Sequence, residues 1–312
     1  MDCCPLCRSN SKVLHIGKSC NYDILYCSGC QLRFSYSRGE NERDFYTRSP
    51  LYADRSLGTL VDFSLEDWRF KTFFALVKPQ PKDSLLDVGC GDGAFIDFVR
   101  KNGTEVFGID IDARAVSLAK NLRKLQNVKN ASWDGLKGIA REKTFDIITL
   151  FDVLEHIPDP CLAGSVAFDL LKPGGTICIS VPRIDRYPRI FDAEADYPPH
   201  HFTLWTRRSL ELLMRRSGFR EAIIIEKPLT AEDLLFNVYL RITRFLRKAH
   251  RDNNIKIDDN KKQQPLFYLK HGFLFRLAKA MAILFLKPFN YFLRILRLGR
   301  GHTLLAMARK PL

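Results

Sequence analysis

The chain has 312 residues, enough for one catalytic domain with additions and too few for three large ones. A hydrophobic fraction of 46% suits a soluble protein with a real core, no charge-free apolar run approaches the roughly 18–20 residues of a membrane-spanning helix, and the opening "MDCCPLC" is no secretory signal, so a cytoplasmic protein is expected. The net charge of +14 is confined to the C-terminal quarter: from Arg241 onward there are 17 Lys+Arg against 3 Asp+Glu, which leaves residues 1–240 neutral with 32 of each sign.

Residues 1–40 form a cysteine-bearing unit. "CPLC" supplies Cys4 and Cys7, and "CSGC" supplies Cys27 and Cys30, with 19 residues between the pairs. Two C-x-x-C pairs at this separation are the spacing of a four-thiolate zinc ribbon, and a reducing compartment favours metal over disulfides. Cys3 and Cys20 are spare, with Cys3 able to replace Cys4. The metal is expected to be structural, because so small a unit buries little core without it. The ribbon is expected to have a core of its own, separate from that of the sheet domain. Residues 41–83 mix aromatics with charge ("EDWRFKTFFALV") and read as lead-in helices ended by "KPQPKD".

From residue 84 strands and helices alternate. "SLLDVG" reads as a strand, "AFIDFVRKNG" as a helix closed by Gly103, "EVFGID" as a strand and "ARAVSLAKNLRKL" as a helix capped by Asp112. "FDIITLF" is a strand, "CLAGSVAFDLLKPGG" a helix with its stop, and "TICISVP" a strand. "TRRSLELLMRRSGF" is a helix opened by Thr206, followed by the strands "REAIIIEK" and, at the end, "HTLLAMAR". Alternation on this scale predicts a doubly wound parallel sheet with helices on both faces. The domains expected are a ribbon over 1–40, lead-in helices over 41–83, a core over 84–230, a basic helical insertion over 231–300 and a closing strand over 301–312. Cys90, Cys161 and Cys178 read as small buried residues of the core.

"LLDVGCGDGAF" places Gly89, Gly91 and Gly93 directly after the first core strand, where a doubly wound sheet binds nucleotides. A dinucleotide loop normally spaces its glycines G-x-G-x-x-G over a pyrophosphate. The spacing here is G-x-G-x-G with Asp87 and Asp92 beside it. A carboxylate-lined turn suits a cofactor bearing positive charge better than a pyrophosphate. Asp110, ending the second strand, is placed to accept the hydroxyls of a ribose.

"LLDVGCGDGAF", "VFGIDID", "FDIITLFDVLEHIPDP" and "LLKPGGTICISVPR" occur in that order. Together they resemble the class I S-adenosylmethionine-dependent methyltransferases, especially the branch that includes the ubiquinone-pathway O-methyltransferases. The resemblance covers about residues 84–226 and the closing strand. It implies a seven-stranded Rossmann-like sheet whose last strand is antiparallel, with S-adenosylmethionine as cofactor. It implies that Asp87, Gly89, Gly91 and Gly93 surround the methionine part of that cofactor, Asp110 its ribose, and Ile111 and the Trp133–Asp134 pair its adenine. Asp152, after the fourth strand, joins the cofactor residues.

The sulfonium is an activated methyl donor, so the protein has to align the acceptor and, for a reluctant hydroxyl or amine, to remove a proton. Asp152, Glu155 and His156 stand at i, i+3 and i+4, which puts them on one face of a helical turn, able to act on a proton or to hold a divalent metal. His200 and His201 lie in "YPPHHFTLW", a Pro-rich, aromatic stretch that reads as a lid over the acceptor. His201 is the favoured base.

In the basic quarter, Arg276, Lys279, Lys287, Arg294 and Arg297 fall within about 80° of one another on a helix of 3.6 residues per turn, beside a broad apolar face. This is the pattern of a helix lying in an anionic membrane interface, with packing on the core or on the second subunit of a homodimer as the competing role. The function expected is methyl transfer, at oxygen, to a small or lipid-linked acceptor, with peripheral attachment to the inner face of the membrane. The alternatives are an RNA base methyltransferase using ribbon and tail, and a catalytically inactive scaffold. Nucleic acid is disfavoured because residues 1–40 hold only five basic residues against three acidic ones and the core is neutral.

Overall fold

The structure is a computed structural model that describes residues 3–19, 21–37, 65, 67–139, 143–186, 196–231, 233–234, 285–289, 291–292 and 300–312. The parts of the lead-in and of the basic insertion outside these ranges, including most of the amphipathic stretch 273–298, lie outside the described residues. The described chain divides into two compact units. One comprises residues 1–184, 194–226 and 303–312, and the other residues 185–193 and 227–302.

The first unit carries two sheets. The larger has seven strands: β4 (Ser84–Val88), β5 (Glu105–Asp110), β6 (Val128–Asn130), β7 (Phe145–Phe151), β8 (Leu171–Pro182), β10 (Ala222–Pro228) and β11 (Arg300–Arg309). Their order is β10-β11-β8-β7-β4-β5-β6. The pairs β4/β5, β5/β6, β4/β7 and β7/β8 are parallel, and β11 runs antiparallel to β8. This is the doubly wound sheet expected from the alternation of elements, with the seven strands and antiparallel last strand that the resemblance implied. β4 is the middle of the five parallel strands, and the chain winds outward to β5 and β6 on one side and to β7 and β8 on the other, which creates a switch point between β4 and β7.

Neighbouring residues of the central strands bury on opposite faces. Leu85, Ile147 and Cys178 pack on one side with Phe73 of α1 (Trp68–Leu76), Ile96 of α2 (Ala94–Val99) and Ala119 of α3 (Ala113–Asn121). Leu86, Ile148 and Ile177 pack on the other with Val166 of α4 (Pro160–Leu170) and Leu213 of α5 (Arg207–Arg216). A strand buried on both faces needs the continuous apolar runs that "SLLDV" and "FDIITLF" provide. The caps fall where the side chains dictate: Asp112 accepts the Arg114 amide, and Thr206 and Ser209 form a reciprocal capping box. One boundary differs from the expectation. "LLKPGG" is not the tail of a helix; α4 stops at Leu170 and β8 begins at Leu171, with a register shift against β7 that absorbs Gly174 and Gly175.

The second sheet is the cysteine unit. β1 (Val13–Ser19), β2 (Tyr22–Cys27) and β3 (Arg33–Ser37) form an antiparallel meander, and a fourth strand, β9 (Thr203–Leu204), comes from the segment after β8. The separate core expected for this unit is not found. Leu6, Leu32 and Phe34 belong to the same buried cluster as Leu154, Ile157 and Trp205 of the sheet domain. A three-stranded meander has one apolar face too small to close on itself, so it shares the face of the larger sheet that α4 and α5 also cover.

Candidate functional site

A cavity of about 360 Å³ opens at the carboxyl ends of β4, β5 and β7, where the winding direction reverses. The cofactor residues expected from sequence divide into those that line it and those that build its wall. Gly89, Asp110, Ile111, Trp133, Asp152 and His156 line it. Gly89 has a left-handed φ of 77°, and a Cβ there would overlap Val153, itself a lining residue. Gly91 stands behind: its N–H donates to Asp110 Oδ2 at 2.7 Å. The Asp112 N–H donates to Asp110 Oδ1 at 2.8 Å, so both carboxylate oxygens are fixed by backbone and the remaining lone pairs are oriented by the loop itself. Gly93 caps the start of α2, where a Cβ would overlap the Leu125 side chain; its role is the close approach of this turn to Ala119 of α3 and to the turn that follows α3. The side chain of Asp134 lies outside the described ones.

Asp87 is buried beneath the cavity rather than in its lining, and accepts a 2.6 Å bond from Thr149 Oγ1. Burial pushes its carboxyl up to about 7, against the Thr149 bond and with help from the nearby Asp110 charge. Asp92 does not face the cavity as a second acid. It is paired with Arg123, at 3.0 Å between Nη2 and Oδ2, and accepts the Ala94 amide at the start of α2. A carboxylate at a helix N-terminus is favourably placed there, and this accounts for Asp92 without a ligand.

Sequence reasoning missed Arg69. It is the only Lys or Arg among the described residues lining the cavity. It sits on α1, where Phe70 stacks on Phe95 and meets Phe151 edge-on, and Phe73 meets both edge-on, which fixes the helix over the end of β7. Arg69 pairs with Asp67 at 2.6 Å and with Asp152. Burial by itself would lower its pKa; the bond to Asp67 and the Asp152 charge more than offset this and keep it cationic. The available signal was a single cation inside an aromatic helix, "DWRFKTFF".

The turn after β7 does not put Asp152, Glu155 and His156 on one face. Asp152 has a left-handed φ of 54° and is held by Ser180 Oγ at 2.7 Å, before the 3-10 turn Leu154–His156 begins. Glu155 turns inward, 1% exposed, while Asp152 and His156 face the cavity. The tertiary fold brings His201 to this turn instead: its Nε2 lies 4.0 Å from Glu155 Oε1 and its ring 5.0 Å from that of His156. The donor atoms of Glu155, His156 and His201 all lie within 4.8 Å of one another. Burial raises the Glu155 carboxyl well above its ordinary range and lowers His156. His156 Nδ1 is 2.6 Å from the His200 carbonyl. A carbonyl only accepts, so the proton of a neutral His156 is on Nδ1 and the lone pair on Nε2. His200 thus contributes its backbone to the cluster.

Cys4, Cys7, Cys27 and Cys30 come together as expected, all four Sγ atoms within 4.8 Å. The Cys4–Cys30 and Cys7–Cys27 sulfurs are 3.4 and 3.5 Å apart. This is near the ~3.8 Å edge of a tetrahedron with 2.3 Å zinc–sulfur bonds and far from a disulfide, so the residues fit the ion. The mutual hydrogen bond pulls the Cys4 thiol down to about 5 and pushes Cys30 up. Cys90 and Cys178 are buried in the core; Cys161 is half-buried and donates to the Leu6 carbonyl of the cysteine unit.

A methyltransferase-domain family model matches residues 65–222, which is half of the chain. The chain belongs to the methyltransferase family. Among similar proteins, the ubiquinone biosynthesis O-methyltransferase of Nitrosospira multiformis is 34% identical over 110 residues, covering 34% of this chain and 45% of that protein. The enzyme of the same name from Saccharophagus degradans is 35% identical over 113 residues, covering 34% and 46%. The aligned part thus spans about half the length of the curated relatives that this methyltransferase matches. In fold it resembles phosphoethanolamine N-methyltransferase 2 of Haemonchus contortus, solved with S-adenosyl-L-methionine, with a TM-score of 0.53 at 18% identity over 90% of this chain and 62% of that one. The seven-stranded sheet with its cavity at the switch point is the fold of the S-adenosylmethionine-dependent methyltransferases.

Proposed function

We propose that this methyltransferase O-methylates a small or lipid-linked acceptor bearing a hydroxyl group, using S-adenosylmethionine bound along the cavity. The observation that carries the reading is the lining of that cavity, which includes a fixed carboxylate, Asp110, a cation, Arg69, and a neutral imidazole, His156. Asp110 suits the ribose hydroxyls, Ile111 and Trp133 the adenine, and Arg69 the carboxylate of the methionine part. When bound, the cofactor supplies the activated methyl group. The chain's part is to hold the acceptor in line and to take its proton.

In this reading His156 Nε2 is the proton acceptor, supported by its place in the cavity lining, with His201 beside it and the His200 carbonyl fixing its tautomer. The same donor set, with Glu155 ionised, suits a divalent cation, which would lower the pKa of a coordinated acceptor hydroxyl. The O-methyltransferase names of the similar proteins support oxygen as the target. The lipid-linked, membrane-surface part rests on the basic insertion. No helix among the described residues is long and apolar enough to cross a membrane. Its described residues Phe285, Phe289, Tyr291 and Phe292 are all exposed, beside Lys287, which suits an interfacial segment.

The test combines methyl-labelled S-adenosylmethionine with lipid and small-phenol extracts, followed by mass spectrometry of the labelled product. A labelled methyl ether whose formation is lost in His156→Ala, with cofactor affinity kept, is the expected result. Label found in nitrogen, carbon or RNA refutes the reading. For the surface, sedimentation with phosphatidylglycerol vesicles at low salt is expected to pull down the intact chain, and failure to do so refutes peripheral attachment.

A further inference from the structure

The cysteine unit and the histidine segment are tied together at several points. β3 begins three residues after Cys30, and β9 begins two residues after His201. The two strands pair, Arg33 with Leu204 and Phe34 with Thr203. The Ser35 amide and hydroxyl both donate to the Phe202 carbonyl, at 2.9 and 3.3 Å. Arg33 donates to the Asp196 carbonyl and lies 4.6 Å from the centre of the Tyr197 ring. Tyr22 meets Phe202 with ring centres 5.9 Å apart. From the other side, the Phe202 amide donates to the Glu155 carbonyl at 2.9 Å, and the His200 carbonyl accepts from His156.

Residues 196–204 are therefore held between the cysteine unit and the turn that carries Glu155 and His156, with His201 in the middle. β9 has only two residues and, among the described residues, makes its ladder with β3 alone; just beyond it the Trp205 amide donates to the Pro182 carbonyl at 3.2 Å and the Trp205 carbonyl accepts from Ile184 at 2.9 Å, so the end after Leu204 is held by the chain at the end of β8 and the end that carries His201 by β3 and the Glu155 turn. β3 in turn is anchored at its start by Cys30. The buried side chains of this unit, Leu6, Leu32 and Phe34 among them, pack into the cluster shared with the larger sheet, so the thiolate cage is what ties the turns at Cys4–Cys7 and Cys27–Cys30 to each other and fixes the start of β3.

We infer that the cysteine unit is a metal-dependent clamp that positions His201 against Glu155 and His156, with Arg33 as a positioning residue. Zinc at Cys4, Cys7, Cys27 and Cys30 sets the geometry of the acceptor side of the site, and the cofactor side is independent of it. The independence follows from the fold: Asp110 and Gly89 are held by β4, β5 and their loops, none of which meets β3 or β9 in a ladder. The functional weight of this clamp rests on the acceptor-side reading of His156 and His201 given above.

The experiment compares the full-length zinc-loaded chain, the chelated chain, the chelated chain with zinc restored, and Arg33→Gln with its zinc retained. Three quantities are read: amide exchange of peptides spanning 196–204, the imidazole resonances of His156 and His201 assigned by single substitutions, and S-adenosylhomocysteine affinity by calorimetry. Exchange over 196–204 is expected to accelerate about tenfold or more on chelation and in Arg33→Gln, since that segment loses its partner strand or its anchor. Both imidazole resonances shift, cofactor affinity stays within about twofold, and zinc restores the native values. Zinc loss that leaves exchange and both resonances unchanged overturns the inference, as does finding no zinc bound. If chelation unfolds the whole chain, Arg33→Gln decides: native exchange over 196–204 in that variant overturns it. Should the clamp respond as expected while His156→Ala and His201→Ala still transfer methyl groups, the clamp stands and the functional reading fails.

Discussion

Replacing Asp110 by Asn removes one charge and one acceptor at the point where the glycine loop and the second core strand meet. In the native carboxylate, Oδ2 accepts from Gly91 N–H and Oδ1 from Asp112 N–H. A carboxamide has one oxygen, so one of these amides faces an NH₂ and loses its partner in a place that is 8% exposed. Leaving a buried donor unsatisfied costs about 1–3 kcal/mol, and in a domain of this size each kcal/mol shifts Tm by about 2–4 °C. A separate loss falls on the ligand. A ribose hydroxyl bonded to a carboxylate gains about 1.5–3 kcal/mol, so affinity for S-adenosylhomocysteine drops roughly 10- to 150-fold. Thermal unfolding of the ligand-free chain reads the first effect and titration calorimetry the second. A lower Tm with native affinity removes Asp110 from the ribose; native values of both refute its anchoring of the loop as well.

Three further outcomes follow from the same wall. Asp87 binds its proton up to about pH 7 in the native chain and up to about 4 when unfolded. The native state therefore holds the extra proton between these values, and unfolding free energy falls as pH rises through that window; Asp87→Asn is expected to flatten this slope by up to about 4 kcal/mol, and denaturant titrations at pH 5 and 8 that show the native slope in the variant contradict it. Gly93→Ala sets a β-carbon against Leu125 at a left-handed φ of 79°, and about 2–4 kcal/mol of destabilisation is expected from strain and overpacking; an unchanged Tm speaks against the packing role. Arg69→Gln is expected to weaken S-adenosylhomocysteine about tenfold and to leave adenosine, which has no carboxylate, unaffected; equal loss for both ligands places Arg69 away from the carboxylate.

The local sequence determined the alternating elements, the caps and the places of the glycine loop and Asp110 at the ends of the first two core strands. Short apolar runs such as "SLLDV" and "FDIITLF", bounded by turn residues, fit strands covered on both faces, and Asp112 and Thr206 cap helices wherever those helices sit. The two C-x-x-C pairs carry their spacing within a few residues, so the thiolate cluster was legible too. What the tertiary structure decided involves partners far apart in the chain. Asp92 looked like a cofactor acid until Arg123, 31 residues on, claimed it. Asp152 and Glu155 parted because a left-handed residue precedes the 3-10 turn, a conformation that the i, i+3 spacing does not encode. Arg69 reached the cavity only through a stack of phenylalanines from three elements. The merging of the cysteine unit with the sheet domain rests on a shared buried cluster and on β3 pairing with residues 169 and 171 positions later in the chain. Hydrophobic period and turn chemistry are properties of a short window, whereas strand partnership and charge pairing depend on which surfaces remain to be covered once the elements have formed.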